Sequence, residues 1–195
     1  MKTYRAKFVA GATRGREFPP VGLPEIAVVG RSNSGKSTLI NILVGQRGLA
    51  RVSNLPGRTR MINFFEVESR FLLVDLPGYG YASTSKAERN QWRTLVDDYF
   101  RASRPLRGVL ALFDIRREPD EQDLTLVDLL RPAVDQHLAI WTKSDKVNRS
   151  ALLQRGRTLQ RALSLEQPGI PFSSQTRLGR EELIEWIERR VLPGR

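Results

Sequence analysis

The sequence predicts an α/β fold in which a mostly parallel sheet is covered by helices on both faces. Short apolar runs recur along the chain, and such runs are typical of strands buried on both faces. Longer segments with apolar residues at three- and four-residue intervals lie between them, as expected for helices. Because strands and helices alternate, crossover helices should join parallel strands into one sheet.

Six segments are the strand candidates, and each stops at a polar or glycine-rich turn. In chain order they are 26–29, 62–67, 71–74, 109–113, 137–141 and, more weakly, 170–172. The second segment ends close before the third begins, which predicts a hairpin. Together the six candidates predict a mostly parallel sheet of the six-stranded type.

Helix candidates alternate with these strands, at 36–44, 87–103, around 124–130, around 152–163 and at 181–191. Trp92 and Trp186 share their helical spacing with aliphatic residues, so we expect both in the core. Residues 1–22 are basic and punctuated by glycine and proline, which indicates an arm or an edge strand. Residues 23–195 show no internal repeat and are predicted to form a single domain.

The chain carries an unusual excess of positive charge. Its 32 Lys and Arg residues against 21 Asp and Glu give a formal net charge of +11. This positive charge favours a polyanionic partner, either nucleic acid or an anionic membrane surface. The alternative explanation of the charge is a lineage that prefers arginine on its protein surfaces. Aromatic residues are few, so contacts to phosphates should dominate any RNA binding.

Composition also excludes several classes of protein. There is no cysteine, which rules out a disulfide framework and a thiolate metal site. No apolar run approaches the ~20 residues that a membrane-spanning helix needs, and the N-terminus is charged where a signal peptide would be apolar. We therefore expect a soluble, cytoplasmic protein with no membrane partner, and a monomer by default.

The first strand candidate runs directly into a glycine-rich loop that opens a helix. The loop matches G-x-x-x-x-G-K-[ST], in which glycines let the backbone wrap around phosphate with its N–H groups pointing inward. The helix N-terminus adds partial positive charge. Lys36 is expected to reach the β- and γ-phosphates, as a catalytic candidate, and Ser37 to ligate Mg²⁺. The candidate residues of this phosphate loop are Gly30, Arg31, Ser32, Asn33, Ser34, Gly35, Lys36 and Ser37.

A second phosphate-facing segment follows the strand candidate 71–74. Asp75 ends that strand as a Walker B aspartate does, and it is predicted to hold Mg²⁺ through a bound water. Leu76, Pro77 and Gly78 complete a D-x-P-G pattern. We expect the Gly78 N–H to contact the γ-phosphate.

A third segment lies between the first helix and the strand candidate 62–67. It contains a threonine on a loop broken by proline and glycine, and such a loop can close over Mg²⁺ and the γ-phosphate and release them after hydrolysis. Thr59 is therefore a candidate for both metal binding and catalysis. The binding candidates here are Gly57, Arg58, Thr59, Arg60 and Met61.

The base of the nucleotide is predicted from the loops after the last two strands. An aspartate after the strand 137–141 can accept two hydrogen bonds, from guanine N1 and N2, whereas adenine would leave a buried carboxylate unpaired at a cost of roughly 1–3 kcal/mol. The stem of Lys143 can lie along the purine, and a backbone N–H of the last loop can meet guanine O6. The candidates are Thr142, Lys143, Ser144 and Asp145, then Ser173, Ser174 and Gln175. All of these loops follow strand ends, where ligands bind in open α/β sheets.

The motifs PEIAVVGRSNSGKSTLIN, LPGRT, INFFEV, LVDLPGYGYA, FDIR, TKSD and FSSQ occur in this order. Together they resemble the EngB/YihA/YsxC family of bacterial TrmE-Era-Era-like GTPases, from about residue 24 to the C-terminus. The resemblance implies a P-loop NTPase fold of the Ras-like G-domain type, with GTP or GDP and Mg²⁺ as ligands. It also implies a translation-factor-class GTPase that acts in assembly of the large (50S) ribosomal subunit, with rRNA as a target, and that is needed for normal cell division and septation.

This chain departs from the family pattern at a few positions. Arg60 stands where the family often has glutamine, and Arg117 stands where histidine often follows D-I-R. Ser34 and Thr38 are milder changes. None of these changes falls on Lys36, Ser37, Asp75 or Asp145, although Arg60 and Arg117 could alter the charge that faces the ribosome.

Tyr79 follows Gly78 directly, where many GTPases carry a glutamine that positions the attacking water. Asn33 resembles the asparagine that in related GTPases ligates a potassium ion beside the phosphates. We hypothesise that Asn33 and a switch-loop carbonyl hold K⁺, which would neutralise charge developing between the β- and γ-phosphates, and that docking on the ribosome orders that loop. The alternative is an arginine of this chain, Arg58 or Arg60, or a group of the ribosome. Both predict slow intrinsic hydrolysis.

Two other functions remain open on the sequence. One is an ATP-using phosphate-loop enzyme such as a small-molecule kinase, against which Asp145 argues. The other is an RNA- or ribosome-binding module that guanine nucleotide gates, with negligible hydrolysis, which Tyr79 makes credible.

Overall fold

The computed structural model describes residues 4–50, 61–80, 86–133 and 136–191. Its strands are β1 (Ala6–Ala12), β2 (Glu25–Gly30), β3 (Ile62–Val67), β4 (Phe71–Asp75), β5 (Leu106–Asp114), β6 (His137–Thr142) and β7 (Ile170–Pro171). Its helices are α1 (Lys36–Leu43), α2 (Lys86–Arg101), α3 (Glu121–Ala133), α4 (Arg149–Ala162) and α5 (Arg180–Val191), with short 3₁₀ turns at Gly15–Glu17 and Ser144–Lys146.

These strands form one sheet in the order β1-β3-β4-β2-β5-β6-β7. The pairs from β4 through β2, β5 and β6 to β7 are parallel, and β1-β3 and β3-β4 are antiparallel. The predicted α/β class and the β3–β4 hairpin are therefore confirmed. The sheet has seven strands rather than six, and the additional strand, β1, pairs with β3 at the edge and lies in residues 1–22, for which an arm or an edge strand was predicted.

The core consists of two layers, one on each face of the sheet. Alternate residues of β2 point to opposite faces, as in any strand: Ile26 and Val28 pack with α1 and α5, while Ala27 and Val29 pack with α2, α3 and α4. The sheet is thus covered by helices on both faces, and its central parallel strands are hidden from water.

Two details of the helical patterns differ from expectation. Leu124 of α3 is 43% exposed, although it shares its helical spacing with Val127 and Leu130, which are buried together with Leu126. Trp92 and Trp186 are only partly buried, but each packs against one of the two core layers. Within the described residues, none of the helices combines the length and apolarity that a bilayer crossing requires.

A buried ion pair fixes the end of the sheet opposite the predicted site. Glu25, at the first position of β2, is fully buried and accepts hydrogen bonds from the guanidinium of Arg104 at 2.6–3.1 Å. The hydroxyl of Tyr99 on α2 donates to the same carboxylate at 2.8 Å. Arg104 also stacks over Phe64, with its guanidinium carbon 5.2 Å from the ring centroid. The network therefore joins β2, β3, α2 and the segment that enters β5.

We predict that Arg104→Met lowers the free energy of unfolding by about 3–5 kcal/mol, because the buried Glu25 carboxylate then lacks its charged partner. Tyr99→Phe should cost only about 1–2 kcal/mol, since Arg104 remains. Arg131→Ala is the control: its pair with Asp128 is exposed and should contribute less than about 1 kcal/mol. Urea denaturation measures all three. A loss in Arg104→Met no larger than in the control would contradict the role given to this network.

Candidate functional site

The candidate residues gather at one edge of the sheet. Strands β2, β4, β5, β6 and β7 are parallel, so their carboxyl ends and the loops that follow them lie on the same side. Gly30, Asp75, Asp114 and Thr142 are the last residues of β2, β4, β5 and β6. This arrangement brings the phosphate loop, the D-x-P-G segment and the predicted base-binding loops to one edge.

Close packing and a special backbone conformation shape the phosphate loop. A Cβ added to Gly30 would lie 2.8 Å from the carbonyl oxygen of Leu112 in β5, so a larger residue does not fit there. Gly35 has φ +99° and immediately precedes α1, so Lys36 becomes the first residue of the helix. Asn33 has φ +62°, a conformation that asparagine tolerates better than most residues. The loop thus leads into a helix N-terminus that favours anions.

Lys36 and Asp75 form a buried pair of opposite charges at this helix start. The Lys36 Nζ lies 3.6 Å from the Asp75 Oδ1, and both side chains are nearly inaccessible to solvent. Burial raises the pKa of Asp75, and the nearby Lys36 ammonium offsets only part of that effect. The Oδ1 atom of Asp75 has no hydrogen-bond partner.

A buried carboxylate oxygen without a hydrogen bond fits a hydrated cation. Mg²⁺ usually keeps several waters and binds through one or two protein oxygens together with substrate phosphates. Asp75 Oδ1 supplies such an oxygen, and Ser37 stands next to Lys36 in the first turn of α1. The chemistry of the residues present therefore fits Mg²⁺. The third metal candidate, Thr59, lies outside the described residues.

The D-x-P-G segment is docked directly against the phosphate loop. The backbone N–H of Ser32 donates to the carbonyl of Tyr79 at 2.7 Å, and a Cβ added to Gly78 would lie 3.2 Å from the Ser32 nitrogen. On its other side, the Trp92 indole N–H of α2 donates to the carbonyl of Pro77 at 2.7 Å. Leu76 and Pro77 are buried, so their side chains serve packing.

The side chain of Tyr79 is committed to the protein interior. Its hydroxyl donates to the Asp123 Oδ1 at 2.7 Å, its ring packs against Trp92, and only 6% of the residue is exposed. Burial and the Asp123 carboxylate raise the pKa of Tyr79 far above its ordinary value. The hydroxyl therefore stays protonated at all working pH values and acts as a structural donor rather than as a base.

The acidic start of α3 contacts the phosphate loop. Arg31 pairs with Asp120, whose other oxygen accepts the N–H of Gln122 at the beginning of α3. Burial raises the pKa of Asp120. The hydrogen bond from Arg31, together with smaller interactions, outweighs this effect, so the pKa of Asp120 lies below its usual value. Acidic residues at the start of a helix also suit the helix dipole. Asp120 and Asp123 also hold the residues Arg31 and Tyr79.

Lys143 joins three of the loops at this edge. Its ammonium donates to the carbonyl of Asn33 at 2.9 Å and lies 2.9 Å from the Asp114 Oδ2. Arg116 makes two further hydrogen bonds to Asp114, at 2.9 and 2.8 Å. Burial raises the pKa of Asp114, but the bonds from Arg116 and Lys143 prevail and hold that pKa well below its usual range. Asp114 and Arg116 thus form an ion pair at the border of these loops.

The predicted base-binding loops contact each other through Asp145. Its Oδ1 accepts a hydrogen bond from the Ser173 hydroxyl at 2.7 Å, and its Oδ2 lies 3.2 Å from the Lys146 ammonium. The Ser173 hydrogen bond is the main cause that lowers the pKa of Asp145. Each carboxylate oxygen has a second lone pair, so Asp145 can still accept from two donors of a planar base. Ser174 and Gln175 follow directly on the same loop.

The structure thus brings together most of the predicted binding residues. Residues 30–37, 75–78, 142–145 and 173–175 all lie at the carboxyl ends of the parallel strands or in the segments that directly follow them. Met61 directly precedes β3, beside Gly11 of β1. The remaining predicted residues, Gly57, Arg58, Thr59 and Arg60, lie outside the described residues.

Tyr79→Phe should leave the rate of nucleotide hydrolysis within about twofold of the original, because the hydroxyl faces Asp123 and not the phosphates. The free energy of unfolding should fall by about 1–3 kcal/mol, since a buried carboxylate loses one hydrogen bond. Single-turnover hydrolysis and urea denaturation measure the two effects. A tenfold or larger fall in rate with unchanged stability would show that the hydroxyl takes part in the chemistry.

Comparison with known proteins gives the family of this chain. A family model described as "50S ribosome-binding GTPase" matches residues 25–143. The "Probable GTP-binding protein EngB" of Syntrophus aciditrophicus is 44% identical over 97% of this chain and 96% of its own length. The protein of the same description from Pelotomaculum thermopropionicum is 43% identical over the full length of both chains.

Solved structures share the fold. A crystal structure of a probable GTP-binding protein engB superposes with a TM-score of 0.71 at 22% identity, and the match covers 86% of this chain and 98% of that one. Era in complex with MgGDPNP and nucleotides 1506–1542 of 16S ribosomal RNA superposes with a TM-score of 0.67 at 20% identity, over 90% of this chain and 59% of that one. With the full-length relatives, these findings lead to one conclusion. The chain belongs to the EngB family of P-loop GTPases.

Proposed function

We propose that this GTPase is a Mg²⁺-dependent switch in assembly of the large (50S) ribosomal subunit. The observation that carries the nucleotide part is the grouping of Lys36, Asp75, Lys143 and Asp145 on loops at one edge of the sheet. A carboxylate for the base, two ammonium groups and a buried oxygen for a hydrated cation suit a guanine nucleotide with Mg²⁺.

The ribosomal part of the proposal rests on charge and on the family. A formal net charge of +11 favours a polyanionic partner, and rRNA is the polyanion that the family model's description suggests. We further propose that the protein is a cytoplasmic monomer with a role in cell division and septation. The septation role rests on the family resemblance alone.

Residues of this chain divide the work of hydrolysis. The Lys36 ammonium would balance charge on the β- and γ-phosphates, and the N–H groups of the phosphate loop would hold their oxygens. Asp75 and Ser37, with Thr59, would hold Mg²⁺, which when bound neutralises further phosphate charge. Asp145 would select guanine because its carboxylate accepts two donors that adenine lacks.

The switch would be read through the segment that contains Gly78. This segment contacts the phosphate loop at Ser32, α2 through Trp92 and α3 through Tyr79 and Asp123. A γ-phosphate that binds the Gly78 N–H would act on this segment first. Any displacement there would be passed to the two helices, which offer a surface to a partner.

The group that replaces the missing glutamine is proposed to be K⁺, held by Asn33. Asn33 is exposed on the phosphate loop, and its carbonyl is already bound by Lys143, which leaves the carboxamide for a cation. The second candidate function is a nucleotide-gated ribosome-binding module with negligible hydrolysis. The burial of Tyr79 favours it, since the usual position of the water-orienting side chain is occupied by a structural residue.

Large ribosomal subunits should bind the protein at least about tenfold more tightly in one nucleotide state than in the other, because a switch must couple the two ligands by about 1–3 kcal/mol. Co-sedimentation with purified large subunits, in GDP or a non-hydrolysable GTP analogue, measures this difference. Small subunits are the control. Equal binding in both nucleotides, or equal binding to both subunits, would contradict the proposal.

Asn33→Gly should abolish the stimulation of GTP hydrolysis by K⁺ and leave GDP affinity within about threefold. Glycine removes the carboxamide but accepts the positive φ of this position without strain, so loop geometry is preserved. Hydrolysis in KCl and NaCl at equal ionic strength is the measurement. Asn33→Ala is the comparison. Alanine also lacks the carboxamide, but its Cβ strains the backbone at this positive φ.

Stimulation by K⁺ that survives in Asn33→Gly would exclude Asn33 as the potassium ligand. Loss of stimulation in Asn33→Ala alone would point to strain in the loop and would likewise exclude it.

A further inference from the structure

Helix α4 has a distribution of charge unlike that of the other surface helices. Its sequence, RSALLQRGRTLQRA, contains four arginines and no acidic residue. Helices α2, α3 and α5 each carry at least three acidic residues that balance much of their positive charge. The single charge of α1, Lys36, is buried in the nucleotide site. The positive charge of α4 is therefore not balanced by acidic residues of the same helix.

Three of the α4 arginines are exposed and carry no ion pair among the described residues: Arg149, Arg157 and Arg161. They share one side of the helix with Leu153, which is 61% exposed. At 1.5 Å per residue, the three arginines span roughly 18 Å of helix. We call this side, Arg149, Leu153, Arg157 and Arg161, the α4 arginine face.

The α4 arginine face stands on a rigid support. Asn148 caps the helix by accepting the N–H of Ala151 at 2.9 Å, and Leu159 is buried in the core. Gly156 lets the helix lie close to Trp141, since an added Cβ would stand 3.4 Å from the indole nitrogen. The three exposed side chains are therefore presented from a fixed helix.

The fourth arginine of α4 connects this helix to the nucleotide site. The Nε of Arg155 donates to the carbonyl of Ile115 and its NH2 group donates to that of Arg116, both at 2.7 Å. Arg116 in turn holds Asp114, which Lys143 contacts. Helix α4 is thus linked through two residues to the ammonium group that binds the phosphate loop.

The position of Arg149 indicates that folding alone does not account for this charge. It is the first residue of α4, where the partial positive charge of the helix N-terminus disfavours a cation. An anion bound beside Arg149 would remove this repulsion. Three unpaired cations on one rigid face also suit a nucleic-acid backbone, which carries one negative charge at every phosphate.

We propose that the α4 arginine face is the surface on which this protein docks the phosphate backbone of rRNA in the large ribosomal subunit. The inference rests on the proposed ribosomal function and adds the surface that performs it. RNA is favoured over a lipid surface because Leu153 is the one large exposed apolar side chain on α4, whereas helices that insert into membranes carry a broad apolar face.

The test compares two triple variants that lower the net charge equally. The first, Arg149→Gln with Arg157→Gln and Arg161→Gln, removes the charge of the α4 arginine face and keeps good helix formers. The control, Arg5→Gln with Arg107→Gln and Arg189→Gln, removes three exposed arginines that lie outside α2, α3 and α4. Both are titrated with purified large subunits and with anionic phosphatidylglycerol vesicles, at salt concentrations from about 50 to 200 mM. GDP affinity and the circular dichroism spectrum verify the fold.

The α4 variant should bind large subunits at least about tenfold more weakly, and its salt dependence should fall by about two to three in the slope of log K against log salt. The control variant should stay within about twofold of the original protein. Equal losses in both variants would mean that only net charge matters, and equal retention would mean that α4 does not dock RNA. Either result would overturn the inference while leaving the ribosomal function intact.

Vesicle binding that the α4 variant alone loses would assign the face to a lipid surface and also overturn it. If the original protein fails to bind large subunits at any salt concentration, the proposed function itself fails, and this inference fails with it.

Discussion

The nucleotide site depends on one ammonium group, that of Lys143. It lies 2.9 Å from the carbonyl oxygen of Asn33 and 2.9 Å from the carboxylate of Asp114, so the loops after β2, β5 and β6 meet at a single cation. A phosphate loop has little regular hydrogen bonding of its own, and a charge-assisted bond of this kind is about twice as strong as a neutral one. Because Lys143 stands two residues before Asp145, the same contact also fixes the phosphate loop relative to the loop that carries Asp145.

A second constraint comes from the way the D-x-P-G segment is held. Tyr79 turns its hydroxyl toward Asp123, and the Ser32 N–H meets the carbonyl of the same tyrosine. The residue that would orient water in many GTPases is here part of the framework between the phosphate loop and α3. The catalytic group must then lie outside this side chain, and K⁺ or a group of the ribosome is proposed for that role. The same framework gives the nucleotide a path to α2 and α3.

Much of the fold was predictable, because its signals are local. Continuous apolar runs and helical spacing indicated the central strands and helices, and the pattern from Gly30 to Ser37 fixed a loop between a strand and a helix. Strand β1 was anticipated only as one of two alternatives for residues 1–22, an arm or an edge strand, because its residues are mostly exposed and follow no continuous apolar run. The partners of Asp120 and Asp123 could not be predicted from the sequence. Their contacts with Arg31 and Tyr79 join positions far apart in the chain, which no periodicity reveals.

Single-turnover GTP hydrolysis in KCl and in NaCl at matched ionic strength, each with and without large ribosomal subunits, tests the structural role of Tyr79 most directly. A structural Tyr79 predicts slow hydrolysis in NaCl without subunits. It also predicts a rise of at least about tenfold with K⁺, if a cation fills the glutamine's role, or with subunits, if the ribosome does. Fast hydrolysis in NaCl alone would show that the chain already contains its complete catalytic group. The absence of a rise under every condition would contradict a GTP-hydrolysing switch and leave a nucleotide-gated binding module.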